Sequence, residues 1–130
     1  MSRWRPVMPA ELVYGVCVED WVSVALRVGG EKRSLHGHDY RVRVCLEGPI
    51  DERGMVVDHS ILSRLLRECV DAIDYGVLNE ALGAQSATAE LLSRHVYDCI
   101  SSRVEGGYRV VLVSACTPRG YCSYIRASLA

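Results

Sequence analysis

The segment Trp21-Val22-Ser23-Val24-Ala25-Leu26-Arg27-Val28 alternates strictly. Val22, Val24, Leu26 and Val28 hold one phase and Trp21, Ser23, Ala25 and Arg27 the other, the two-residue period of a strand with one face buried. Gly29-Gly30 then signals a turn. From His38 to Glu47 the alternation returns, with Tyr40, Val42, Val44 and Leu46 in phase and Arg41, Arg43 and Glu47 opposite. The two stretches predict an antiparallel hairpin. Upstream, Leu12 to Val18 reads either as an earlier strand or as the first part of one bent strand, broken near Glu19-Asp20.

Beyond Asp58 the period lengthens. Ile61, Leu62, Leu65, Leu66, Cys69, Val70 and Ile73 fall on one helical face, with Asp58 or Ser60 as N-cap. A second helix starts at Thr88, which can cap it while Glu90 complements the N-terminal dipole. Its stripe is Leu91, Leu92, His95, Val96, Cys99 and Ile100, and Gly106-Gly107 ends the segment. Val110 to Val113 and Tyr121 to Arg126 read as closing strands around a turn at Pro118-Arg119-Gly120. The order predicts an α+β class, a four-stranded antiparallel sheet with two helices packed on one face. Its open edges favour an oligomer.

The chain has 130 residues, 49% hydrophobic and 24% charged, which suits one domain over residues 1–130. The formal net charge of -1, without a basic cluster interleaved with aromatics, argues against nucleic acid as a partner. Met1 to Ala10 carries Arg3 and Arg5 but no apolar run suited to a signal peptide or membrane span, so no membrane and a cytoplasmic location are expected. The six cysteines form no Cys-x-x-Cys pair, and Cys69 and Cys99 fall on the helical stripes. Most read as small core residues rather than disulfide partners.

Leu35-His36-Gly37-His38-Asp39-Tyr40 opens the second strand, and His36 and His38, two apart, project to one face. Two imidazoles so placed can share a metal, although a zinc site needs at least a third protein ligand. Further along stand Gly54-Met55-Val56-Val57-Asp58, Ile73-Asp74-Tyr75-Gly76-Val77-Leu78-Asn79 and Ala87-Thr88-Ala89-Glu90. In this order and approximate spacing, the segments resemble the 6-pyruvoyl-tetrahydropterin synthase and 6-carboxytetrahydropterin synthase family over about residues 13 to 126. The resemblance implies the tunnelling fold, in which subunits join their sheets into a barrel, commonly a hexamer of two stacked trimers with active sites between subunits. It also implies zinc held by three histidines.

The resemblance carries over only in part. His36 and His38 match the second and third zinc ligands; the first belongs about where Ala25-Leu26 stands, and no histidine precedes His36. The family's cysteine, four residues before the His-x-His, is replaced by Lys32. The Leu-Asp-His segment bearing the catalytic pair reads Ile73-Asp74-Tyr75, so Asp74 is kept as a catalytic remnant, whereas a tyrosine with a pKa near ~10 is a poor base. The pterin-gripping glutamate falls at Ala115 or a neighbour, and no acidic residue follows Glu105. Thr88 and Glu90 match the family's substrate-binding Thr-x-Glu, and helix capping is an equal reason for both. His59 and His95 read as core or interface histidines.

Losing metal, acid/base and recognition groups together points to a catalytically degenerate paralogue. Such a protein would act as a binding or co-assembling subunit, as a trimer or hexamer of itself or with an active relative, and a pterin-like small molecule is its expected ligand class. The alternative is a zinc-dependent pterin or deazapurine (queuosine or archaeosine precursor) synthase, or a related lyase. Its site would be rearranged, with His59, Asp39 or a cysteine completing the metal set.

Overall fold

Alternation in sequence becomes two faces of a sheet. The computed structural model describes residues 11–29 and 35–128. Strand β1 (Tyr14–Leu26) pairs with β2 (His36–Gly48) along its whole length, in an antiparallel register that sets Val22 opposite Tyr40 and Leu26 opposite His36. Val22, Val24, Leu26, Tyr40, Val42, Val44 and Leu46 are buried on one face, as the in-phase positions predict. Tyr14–Leu26 is continuous: the chain does not break at Glu19-Asp20, because every residue of the stretch has a partner on β2. Lys32 and most of the turn after Gly29 lie outside the described residues.

Helix α1 (His59–Asp71) is capped by Asp58, whose side chain accepts from the Ser60 backbone N–H. Leu62, Leu66, Cys69 and Val70 are its buried residues. Helix α3 (Ala89–Ser101) is capped by Thr88, which accepts from the Leu91 N–H, and it buries Leu92, Val96 and Ile100 against the same core. Strands β4 (Arg109–Cys116) and β5 (Cys122–Arg126) close the sheet as a hairpin beside β2.

Two expectations need correction. The sheet has five strands, in the order β3-β1-β2-β4-β5, and it is mixed rather than antiparallel. The added strand, β3 (Gly76–Val77), runs parallel to β1 at Val24 and Ala25 and leads into a third helix, α2 (Leu78–Leu82). Both are too short to display a period, which is why alternation misses them. The second correction concerns the cysteines, all six of which form disulfides: Cys17–Cys45, Cys69–Cys99 and Cys116–Cys122. Local spacing says nothing about these pairs. Strand register places Cys17 directly opposite Cys45, the two helical stripes face each other at Cys69 and Cys99, and the β4–β5 turn returns Cys122 to Cys116.

Candidate functional site at the His36 end of the sheet

Parity along β1 and β2 decides what stands around the histidine pair. His36 and His38 share the face of Tyr40 and Val42, and their rings meet edge to face with centroids 4.8 Å apart. The His38 and Tyr40 rings follow at 5.4 Å. Burial, and next to it the charge of Glu90, push the Tyr40 phenol above its ordinary pKa. Glu90, in the first turn of α3, thus acts electrostatically on Tyr40, the inner end of the aromatic row.

Across the ladder from His36 stands Leu26, which is 2% exposed. Of the two positions left open for the family's first zinc ligand, Ala25 faces the other side, whereas Leu26 shares the histidines' face. An isobutyl group therefore fills that corner, and it has no lone pair to donate. Among the described residues, no group of three or more His, Cys, Asp or Glu is placed to hold a metal ion. The conceivable substitutes stand elsewhere. His59 opens α1 and lines a cavity with Tyr14 at the far end of β1. Asp39 points to the opposite face, where its carboxylate accepts from the Ser23 hydroxyl at 2.6 Å, and every cysteine is bonded to another. The described residues do not fit the three-histidine zinc site that the family implies.

Asp74 is 15% exposed at its side chain, and both of its oxygens are engaged. One accepts from the Ser23 N–H at 2.8 Å, and the other from Arg67 Nη2 at 2.8 Å. Arg67 also reaches Asp71 at 2.7 Å, Asp20 at 3.3 Å and the Trp21 carbonyl, tying α1 to β1 and to the turn before β3. Burial tends to lower the Arg67 pKa, but the Asp74 and Asp71 contacts outweigh it and hold the group above its ordinary value. Neither Arg67 nor Ser23 stood out in the sequence. The only signal was the helical spacing of Arg67 to Asp71.

Tyr75 follows Asp74 with φ 61, and it is the one non-glycine with positive φ among the described residues. Its N–H donates to the Ser23 carbonyl at 2.6 Å, and its side chain is 87% exposed. Bulky residues rarely adopt this backbone, so the hydrogen bonds on both sides of the turn must hold it there. Tyr75, Ser23, Ala25, His38 and Asp39 line an open depression of about 510 Å³. Ala115 is fully buried and faces Val42, and the adjacent Cys116 is disulfide-bonded, so no carboxylate stands there. Asn79 is buried in α2; it accepts from the Arg27 N–H and donates to the carbonyls of Arg27, Ala84 and Gln85, fixing the loop that leads to Thr88.

The family model for 6-pyruvoyl tetrahydropterin synthase matches residues 18–127. The chain belongs to this family. A 6-carboxy-5,6,7,8-tetrahydropterin synthase of Synechocystis is 34% identical over 95 residues, 68% of this chain and 74% of that protein. An Archaeoglobus fulgidus protein to which the same synthase name is provisionally attached is 34% identical over 77 residues, 58% of this chain and 65% of its own length. The match thus spans just under two thirds of that relative. The 6-pyruvoyl tetrahydropterin synthase of Caenorhabditis elegans superposes with a TM-score of 0.76 at 22% identity, covering 93% of this chain and all of that one. At this identity the superposition establishes the fold.

Proposed function

We propose that this chain is a 6-pyruvoyl tetrahydropterin synthase-like protein that has left zinc-dependent synthase chemistry and acts as a binding or co-assembling subunit. The observation that carries the reading is Leu26, buried directly across from His36 on the histidines' face. With two imidazoles and a leucine, the corner lacks the third donor that a protein zinc site needs. Recognition is weakened as well. Ala115 offers no carboxylate to the paired donors of a pterin edge, and unpaired donors of that kind cost several kcal/mol. Thr88 and Glu90 remain as polar groups toward a ligand, and Asp74 serves the turn rather than a proton.

The assembly proposed is a trimer or hexamer of this chain, or a mixed ring with an active relative. No helix among the described residues is long and apolar enough to cross a membrane. The location proposed is cytoplasmic, and the three disulfides make that specific: the cytoplasm must be one that tolerates structural disulfides, as in hyperthermophiles.

The test is zinc content after dialysis against zinc, compared between the wild type and Leu26→His, with solution mass recorded for both. The expected outcome is no retained zinc in the wild type and close to one per subunit in the variant. Wild-type protein that keeps stoichiometric zinc sinks the reading, as does its turnover of 7,8-dihydroneopterin triphosphate.

A second reading rests on Tyr75, held in a left-handed backbone at the family's catalytic histidine position and exposed beside His38 and Asp39. It is a lyase on an altered substrate in which the phenol donates a proton. Tyr75→Phe would then abolish turnover while leaving ligand affinity unchanged.

A further inference from the structure

A second cavity lies away from the histidine end. A depression of about 550 Å³ opens on the sheet face away from the helices, within the usual volume range of small-molecule sites. Cys45, on its floor, lies seven residues beyond His38 on β2, roughly 23 Å along an extended strand.

Three local features create it. The β2–β4 register slips between Cys45 and Leu46, so that Leu112 faces Cys45 and Val110 faces Leu46 while Val111 is left without a partner. Such a bulge bends its strand and re-aims side chains. Gly15 leaves the β1 side open; a Cβ there would stand 3.1 Å from the Leu46 carbonyl oxygen. Beyond β5 the chain stays attached through the Ala127 N–H to the Val111 carbonyl, which builds the far wall.

The chemistry is mixed. The Cys17–Cys45 disulfide and Leu112 supply an apolar floor, and Arg109 and Arg126 stand at the wall. Arg109 meets Glu47 only at 3.6 Å, and the Arg126 guanidinium has no ion-pair partner among the described residues. An unpaired arginine beside a second, loosely paired one, over an apolar floor, matches an anionic head on an apolar body.

We propose that this depression is a binding site for a small molecule carrying a carboxylate or phosphate head on an apolar body. Arg126 and Arg109 take the head, and the disulfide and Leu112 take the body. Glu47 tempers the site by competing for Arg109. The proposal stands apart from the zinc question, which concerns the other end and the other face of the sheet.

The experiment is an amide-resolved NMR titration of the full chain with phenyl phosphate, benzoate, benzyl alcohol and inorganic phosphate. Both aromatic anions are expected to bind saturably, shifting residues 15–17, 45–47, 109–112 and 126–128. The tighter of the two identifies the head group. Arg126→Ala, a change at an exposed side chain, should weaken binding about tenfold, Arg126→Lys less, and Glu47→Gln should strengthen it. No saturable shift, equal binding of benzyl alcohol, equal binding of inorganic phosphate, or indifference to Arg126→Ala would each overturn the proposal. So would shifts confined to the His36 end.

Discussion

The two faces of the sheet are built on different principles. Beneath the helices, Val22, Val24, Leu26, Tyr40, Val42, Val44 and Leu46 form an unbroken apolar layer closed by Leu62, Leu66, Leu92 and Val96. On the other face the same two strands carry Trp21, Ser23, Asp39, Arg41 and Arg43, held by a cross-strand disulfide, a Ser23–Asp39 hydrogen bond and an Arg41–Glu19 pair at 3.5 Å. The covered face is stabilised by area removed from water and tolerates little change. The open face is stabilised by discrete pairs, each of which can be altered without emptying a core. New binding chemistry therefore has more room on the open face, whereas a buried leucine such as Leu26 is what the covered one selects for.

Truncation should break the symmetry most visibly. Leu66→Ala, at a fully buried site, is expected to cost about 3 to 5 kcal/mol, against less than about 1 kcal/mol for Trp21→Ala at a half-exposed one. Urea denaturation of both variants checks this, and comparable losses would mean that the open face is covered in solution. The open face has its own large term in the chain linkage. Replacing Cys17 and Cys45 together by alanine opens a loop of separation 28 and should cost about 3.5 kcal/mol, mainly by freeing the unfolded chain. A reductant, which opens all three disulfides, should cost the wild type more than this and the double variant less than the wild type. If the double variant melts with the wild type, the staple carries no stability.

Arg67 joins the two regimes, since it ties α1 to Asp20, Asp71 and Asp74 at the sheet edge. Arg67→Ala is expected to cost about 1 to 2 kcal/mol, between exposed and buried ion pairs. The loss should shrink in high salt, and Tyr75 amide exchange should quicken. A salt-independent loss would assign the effect to packing of the arginine stem instead.

The same division separates what could be read in advance from what could not. The covered face was legible because burial imposes a period, and so were the cap at Thr88 and, as one of two candidates with Ser60, the cap at Asp58, where side-chain chemistry acts within a few residues. Ala25 and Leu26 could not be told apart as heirs to the missing ligand until the register set Leu26 against His36. The Cys17–Cys45 and Cys69–Cys99 disulfides, the Ser23–Asp39 bond and the ties of Arg67 to Asp20 and to the Trp21 carbonyl join residues distant in the chain, where neither spacing nor periodicity leaves a trace. Strand β3 and helix α2 were missed for the opposite reason, each being too short for its period to repeat even twice.

The smallest effect is also the most sharply conditioned, and it concerns how the covered face is closed. Asp58 accepts from the Ser60 N–H at 2.9 Å and from its hydroxyl at 2.8 Å, which holds the carboxyl below the ordinary aspartate range, backbone hydrogen bond first. Because the folded value lies below the unfolded one, the charge stabilises α1 fully above the unfolded pKa, near ~4, and the contribution disappears as pH falls through the folded value. Asn can still accept from the Ser60 N–H but cannot titrate, so Asp58→Asn should melt below the wild type at neutral pH and converge with it in acid. Asp58→Ala loses the cap itself and should stay below the wild type throughout. Melting curves from pH 7 down to about pH 2 separate the two contributions. A wild-type advantage over Asp58→Asn that persists undiminished at the acid end would show that charge is not what holds the first turn of α1 against the sheet.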